Sequence, residues 1–198
     1  MPKLINHQER KQHIAQAVWA VLAREGVRGV SVRTVAAEAG ISTGSLRHVF
    51  PILNDMMLYS LDYSGQKFLA SLTSRKVTGP LIDHLEDLLF DFVPTSNESR
   101  MYSEVVVGML AEASNIPGVA RMLQQQETEL AYTYSFILSQ LKAHGRIRSD
   151  IDVQYETDTL VSLLFGVHVS YMLSDQTASD QELQAPLKMH LASLKNTD

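Results

Sequence analysis

The sequence predicts an all-α protein, with an N-terminal three-helix head built around a helix-turn-helix and a C-terminal helical bundle. Three observations lead there. Glycine and proline cut the 198 residues into segments whose apolar side chains recur at i, i+3, i+4 and i+7, the period of a helix with one buried face. No window alternates convincingly at period two. Hydrophobic residues make up 45% and charged residues 20% of the chain, which is globular composition and unlike that of a disordered chain.

The elements follow in order. Ile14, Ala17, Val18, Val21 and Leu22 share one face of the first helix, and Gly26 stops it. Ser31 precedes a short segment, Val32–Ala39, that ends at Gly40. Ser42 or Thr43 opens a second short segment, which reaches Phe50 and is closed by Pro51. Both starts carry a hydroxyl able to accept from the orphan backbone N–H groups of a helix N-terminus. Asn54 or Asp55 opens a longer helix bearing Met57, Leu61, Phe68 and Leu72, and a polar connector follows at 73–79. Between Pro80 and Pro94, Leu81, Leu85, Leu88, Leu89 and Phe92 predict one helix. Tyr102, Val105, Val106, Met109, Leu110 and Ala113 mark the next, and a long helix from Val119 to Leu141 is ended by Gly145. The last two helices are expected at 153–174 and 179–195.

Composition excludes several classes of function. The chain has no cysteine, hence no disulfide framework, thiolate metal site or cysteine nucleophile. The histidines show no His-Glu-x-x-His arrangement, so no metal site is expected. No Gly-rich phosphate loop or Gly-x-Ser-x-Gly elbow occurs, and Tyr63 and Lys67 share the Tyr-x-x-x-Lys spacing of dehydrogenases without any dinucleotide loop. No catalytic residue and no cofactor is expected. The longest apolar stretch, Leu160 to Leu173, is interrupted by Ser162, His168 and Ser170 and falls short of the roughly 20 residues of a membrane span. The first twelve residues are polar, without the apolar region of a secretory signal. The expectation is a cytoplasmic protein with no membrane partner.

Charge is divided unevenly. Residues 1–50 hold seven Lys/Arg and three acids, the remainder ten and nineteen, which together give the net charge of −5. A basic head on an acidic body suggests that one end meets a polyanion. Within that head, residues 31–50 read as two short helices joined by the turn Ala39-Gly40-Ile41-Ser42. Val35, Ala36, Ala39, Ile41, Leu46 and Phe50 are the expected shared core. Ser31, Arg33, Thr34, Ser42, Thr43, Ser45, Arg47 and His48 remain as hydrogen-bonding groups suited to phosphates and base edges in a major groove.

At these residues the sequence resembles the TetR family of bacterial transcriptional regulators. The resemblance covers roughly residues 10–61. It is carried by Arg10, Ile14, Ala15, Ala17 and Glu25-Gly26, then by Ala36-Ala37-Glu38-Ala39-Gly40-Ile41-Ser42-Thr43-Gly44-Ser45-Leu46 with Phe50 four residues on. The ending, with Gly145, Asp152, Leu160 and Gly166, is similar to the branch containing the choline-responsive betaine repressor. The resemblance implies a ligand-responsive repressor, not an enzyme. Its partners would be a palindromic double-stranded DNA operator, a small-molecule effector and a second copy of itself. Residues 1–50 would be the DNA-binding domain and 51–198 the ligand-binding and dimerisation domain. Two departures stand out: Arg47 occupies a position where the family commonly has a phosphate-touching tyrosine, and Pro51-Ile52-Leu53-Asn54 offers no cation where a lysine is common.

Two further surfaces are expected. Leu160, Leu163, Leu164 and Val167 lie in a run that is apolar on nearly every side, and Leu183, Leu187, Leu191 and Leu194 form a stripe; together they predict a four-helix dimer interface. Phe92, Tyr102, Met109, Met122, Tyr132, Phe136, His168 and Tyr171 are the expected lining of an effector pocket, with apolar walls and few polar anchors. Glu104 and Glu112 would favour a cation if buried, but the single tryptophan, Trp19, lies in the head and cannot cage a quaternary ammonium. A mostly apolar or aromatic effector is therefore expected. The competing readings are a small helical-bundle enzyme and a protein-interaction module, in either of which the helix-turn-helix is structural.

Overall fold

The computed structural model describes residues 7–74, 79–174 and 177–195. The connector expected at 73–79 lies largely outside them. The described residues form α1 (His7–Glu25), α2 (Val32–Glu38), α3 (Thr43–Val49), α4 (Leu53–Thr73), α5 (Leu85–Phe90), α6 (Asn97–Leu110), α7 (Val119–Ala143), α8 (Val153–Leu173) and α9 (Asp180–Leu194). No strand occurs among them. The helix expected across Leu81–Phe92 is split into a 3-10 turn, Leu81–Asp83, and the short α5. His84 at the junction both ends the turn and begins α5, with φ −105° and ψ −8°, and no side chain caps the new start.

The chain divides into two compact units, Met1–Leu69 with Glu104–Leu123 and Ala70–Ser103 with Gln124–Asp198. In the first unit, α1 buries Ile14, Ala15, Val18 and Val21 against a core that includes Val35, Ala36, Leu46, Val49 and Phe50. Ile41, expected in that core, is partly exposed. The reason α4 belongs with the head through Leu69 is aromatic. Trp19 stacks on Tyr63 with centroids 5.3 Å apart, Tyr63 stacks on Tyr59 at 6.0 Å, and Phe50 meets Tyr59 at 5.4 Å. Lys11 sits over the rings of Phe50 and Tyr59, a cation on the negative ring faces. Residues 104–123 add buried Val105, Met109, Ile116 and Val119.

The second unit is organised around α7, α8 and α9. Tyr134 is fully buried, meets Phe92 edge-on at 5.6 Å and donates its hydroxyl to the Leu89 carbonyl at 2.9 Å. Burial pushes the phenol far above its ordinary range. α9 opens with a capping box in which Ser179 and Glu182 exchange bonds, and Pro186 lies inside it. The eight residues expected at a dimer interface are largely buried within the chain. Leu160, Leu164, Val167, Leu183, Leu187, Leu191 and Leu194 are each no more than 5% exposed in the single chain. Their apolar stripes pack within this unit, and Leu163 alone of the eight is partly exposed.

Candidate functional site

The helix-turn-helix is built from caps inward. The Ser31 hydroxyl accepts from Thr34 N–H at 3.1 Å, and Thr34 Oγ1 accepts from Ser31 N–H at 2.9 Å. That same threonine hydroxyl donates to the Gly29 carbonyl at 2.7 Å. α3 begins likewise, with Ser42 Oγ accepting from Ser45 N–H at 3.1 Å. Between them Gly40 takes φ +65°, and the bond from Ile41 N–H to the Ala36 carbonyl, 2.9 Å, closes the turn. Only a residue without Cβ adopts that conformation readily. His13 on α1 reaches the Ala39 carbonyl at 2.9 Å; the carbonyl only accepts, so the hydrogen is on Nε2.

This geometry sorts the eight DNA-binding candidates. Ser31, Thr34 and Ser42 are occupied as caps. Arg33, Thr43, Arg47 and His48 are exposed, and none of their side chains makes a hydrogen bond or ion pair with another described residue. Ser45, partly exposed, keeps its hydroxyl unbonded while its backbone N–H goes to Ser42. Arg47 and His48 stand in the last turn of α3, and the Arg47 charge complements the carbonyl end of the helix dipole. By contrast Arg24 is tied to Glu38 and Glu25, each at 3.0 Å. A Cβ at Gly44 would meet only Ser42 Oγ, at 3.9 Å, so the start of α3 is open to close approach from outside.

The eight effector candidates are divided between the two units. Met109 is fully buried and Met122 partly so, both within the first unit. Tyr132 is 77% and Phe136 50% exposed; they stand on the outward face of α7, because the inward face is taken by Tyr134, Ile137, Leu138 and Leu141. In the second unit Phe92 packs on Tyr134, and Tyr171 lies under the Arg100 guanidinium at 6.0 Å. That guanidinium is itself bonded to Asp180 at 2.7 Å.

Tyr102 and His168 do come together, edge to face with centroids 6.4 Å apart. Tyr102 donates to Gln126 Oε1 at 3.3 Å, and burial pushes its phenol up to about 12, with help from the charge of Glu129. His168 Nδ1 lies 2.5 Å from Ser103 Oγ, and burial lowers the imidazole to about 4. Sequence reading missed Ser103 and Gln126. The available signal was Ser99 and Ser103, small polar residues four apart on one helix face, both fully buried. Glu104 is raised by burial and Glu112 accepts from Asn115 at 3.1 Å; neither belongs to the unit holding His168.

The outward face of α8 was also missed. Tyr155 is 67%, Phe165 46% and Leu173 79% exposed, with Met189 of α9 at 75%. Tyr155, Asp158, Thr159, Ser162 and Leu163 line a shallow depression of about 380 Å³. Beyond its own stretch of helix backbone, a Cβ on Gly166 would meet nothing within 4 Å.

Residues 82–195 match the family model described as BetI-type transcriptional repressor, C-terminal. Across 195 residues the chain is 25% identical to the HTH-type transcriptional regulator PksA of Bacillus subtilis (strain 168), covering 98% of this chain and 94% of that protein. The HTH-type transcriptional regulator UidR of Escherichia coli (strain K12) is 21% identical over 94% of this chain and 91% of its own. A TetR transcription regulator from Haloarcula marismortui superposes with a TM-score of 0.81 at 19% identity, covering 96% of this chain and all of that one (100%). A transcriptional regulator from Saccharomonospora viridis in complex with choline gives 0.78 at 18% identity, with coverages of 93% and 96%. The two structural likenesses establish a shared fold.

Proposed function

Because the chain belongs to the TetR family of transcriptional regulators, with a C-terminal part of BetI type, we propose that it is a cytoplasmic, homodimeric repressor that binds a palindromic operator and releases it when a small molecule enters the body. Its relatives are regulators, not enzymes. In this reading residues 1–50 are the DNA-binding head and 51–198 the ligand-binding and dimerisation part.

The observation that carries the proposal is the surface formed by Arg33, Thr43, Arg47 and His48. These side chains have no described partner, on two helices whose caps and turn are complete. Arginine forks bind phosphate oxygens bidentately, and small hydroxyls near the start of a recognition helix suit base-edge contact. Gly44 supports the reading. A glycine within a helix costs about 1 kcal/mol relative to alanine, and nothing inside the chain requires one there, whereas a closely approaching duplex does.

Homodimerisation is supported by the outward face of α8. Tyr155, Phe165 and Leu173 project from one side of an otherwise packed helix, and Gly166 lets a second helix come near. Two copies related by a two-fold axis would present two identical heads to two half-sites.

Purified protein titrated with DNA from upstream of its own gene, across a salt series, tests the function. Sequence preference with a steep fall in affinity as salt rises is expected. Absence of binding at low salt would remove the reading.

A further inference from the structure

Resting on the reading of the second unit as effector-binding, we propose that the effector is a neutral, largely apolar molecule that donates an O–H or N–H hydrogen bond to Nε2 of His168. The argument follows the hydrogens. The Ser99 carbonyl can only accept, so Ser103 Oγ donates to it, at 2.8 Å. With its one hydrogen placed there, Ser103 Oγ can only accept from His168, and the 2.5 Å contact puts the hydrogen on Nδ1. A neutral imidazole carries one N–H, so Nε2 is left with a lone pair.

That lone pair has no protein partner among the described residues. The residue is 7% exposed, so Nε2 is an unpartnered acceptor on a side chain that is more than nine-tenths buried. An acceptor held in a mostly buried ring rewards a ligand that brings a donor and penalises the same shape without one. The ring of Tyr102 supplies an apolar wall beside it, and its hydroxyl donates to Gln126.

Neutrality follows from the company His168 keeps. Its bonded neighbour is a hydroxyl, and burial holds the imidazole uncharged at neutral pH. The carboxylate acting on Tyr102 is Glu129, which is exposed and takes the Gln125 amide at 3.0 Å. No carboxylate is bonded to His168 among the described residues, and an unpaired cation is costly to bury. The choline of the Saccharomonospora structure does not suit this site.

Nitrogen-15 NMR on the full-length, histidine-labelled protein at pH 7 tests the proposal with phenol, anisole and choline as probes. His168 is expected to show a protonated Nδ1 and a bare Nε2. Phenol should shift the Nε2 resonance and bind about tenfold more tightly than anisole, whose oxygen is methylated; choline should not bind. In Ser103→Ala, which unfixes the tautomer while adding no bulk, the preference for phenol should fall below about threefold. A hydrogen on Nε2, no response to phenol at millimolar concentration, equal binding of phenol and anisole, or tight binding of choline would each overturn the proposal. Phenol that shifts Nε2 without changing operator affinity would instead remove the ligand-responsive reading and leave the donor site standing.

Discussion

The indole Nε1 of Trp19 donates to the backbone carbonyl of Ser60 at 3.0 Å, joining α1 to α4 by a bond that spans 41 residues of chain. The Tyr63 ring stacks on the same indole, so one side chain makes both a polar and an apolar contact with α4.

Trp19→Phe keeps an aromatic ring for Tyr63 and deletes the N–H. The expected loss of stability is about 1–3 kcal/mol, read as a lower midpoint in urea denaturation followed by circular dichroism. An unchanged midpoint would show that the bond contributes nothing net.

Arg47→Ala is expected to weaken binding to operator and random DNA alike, and to reduce the slope of log affinity against log salt by about one. Lost sequence preference with an unchanged slope would assign Arg47 to a base edge instead of a phosphate.

Ser31→Ala separates capping from DNA contact. Removing the cap should cost about 1 kcal/mol of folding stability and leave the salt slope of DNA binding as it was. A fall in the slope without a change in stability would make Ser31 a phosphate ligand.

Phe165→Glu puts a charge on the outward face of α8 and is expected to give particles of the monomer mass, 22.1 kDa, by light scattering. Leu187→Ala, inside the chain, should lower stability by about 2–5 kcal/mol without changing the assembly. The opposite pattern would return the leucine stripe to the interface.

His168 predicts a pH dependence. Its folded value, about 4, lies below the ordinary 6.5, so between these two the unfolded chain binds a proton that the folded chain refuses. Stability from this group is complete above about pH 6.5 and is lost as pH falls toward 4, on the order of 3 kcal/mol. His168→Phe should flatten that part of a stability profile; a profile unchanged by the substitution would show that His168 does not titrate this way.

The head was legible in the sequence because its determinants are local. Ser31 and Ser42 cap the helices they precede, Gly40 makes the turn, and Val35, Leu46 and Phe50 lie within sixteen positions of one another. The second unit was legible only as helices. Periodicity identified Leu183, Leu187 and Leu191 as one apolar face but carries no information on whether that face meets its own chain or another. In the long helix the period did separate Tyr134, in register with Ile137, Leu138 and Leu141 and buried with them, from Tyr132, which is out of register and exposed. Ser103 and His168 are 65 positions apart, and their bond follows from the packing of α6 with α8, which no local pattern specifies.

Gly166 has a consequence for pairing fidelity. A cell that makes several proteins of this architecture must keep unlike subunits from mixing, since a mixed pair would carry two different reading heads. A gap between Ser162 and Ser170, on a face that also carries Tyr155, Phe165 and Leu173, is a shape that a partner can match or fail to match, and filling it would alter which partners are accepted without touching the chain's own core. In a homodimer built on this face, the identity of the second subunit would be encoded by a missing side chain, and changed by a single methyl group.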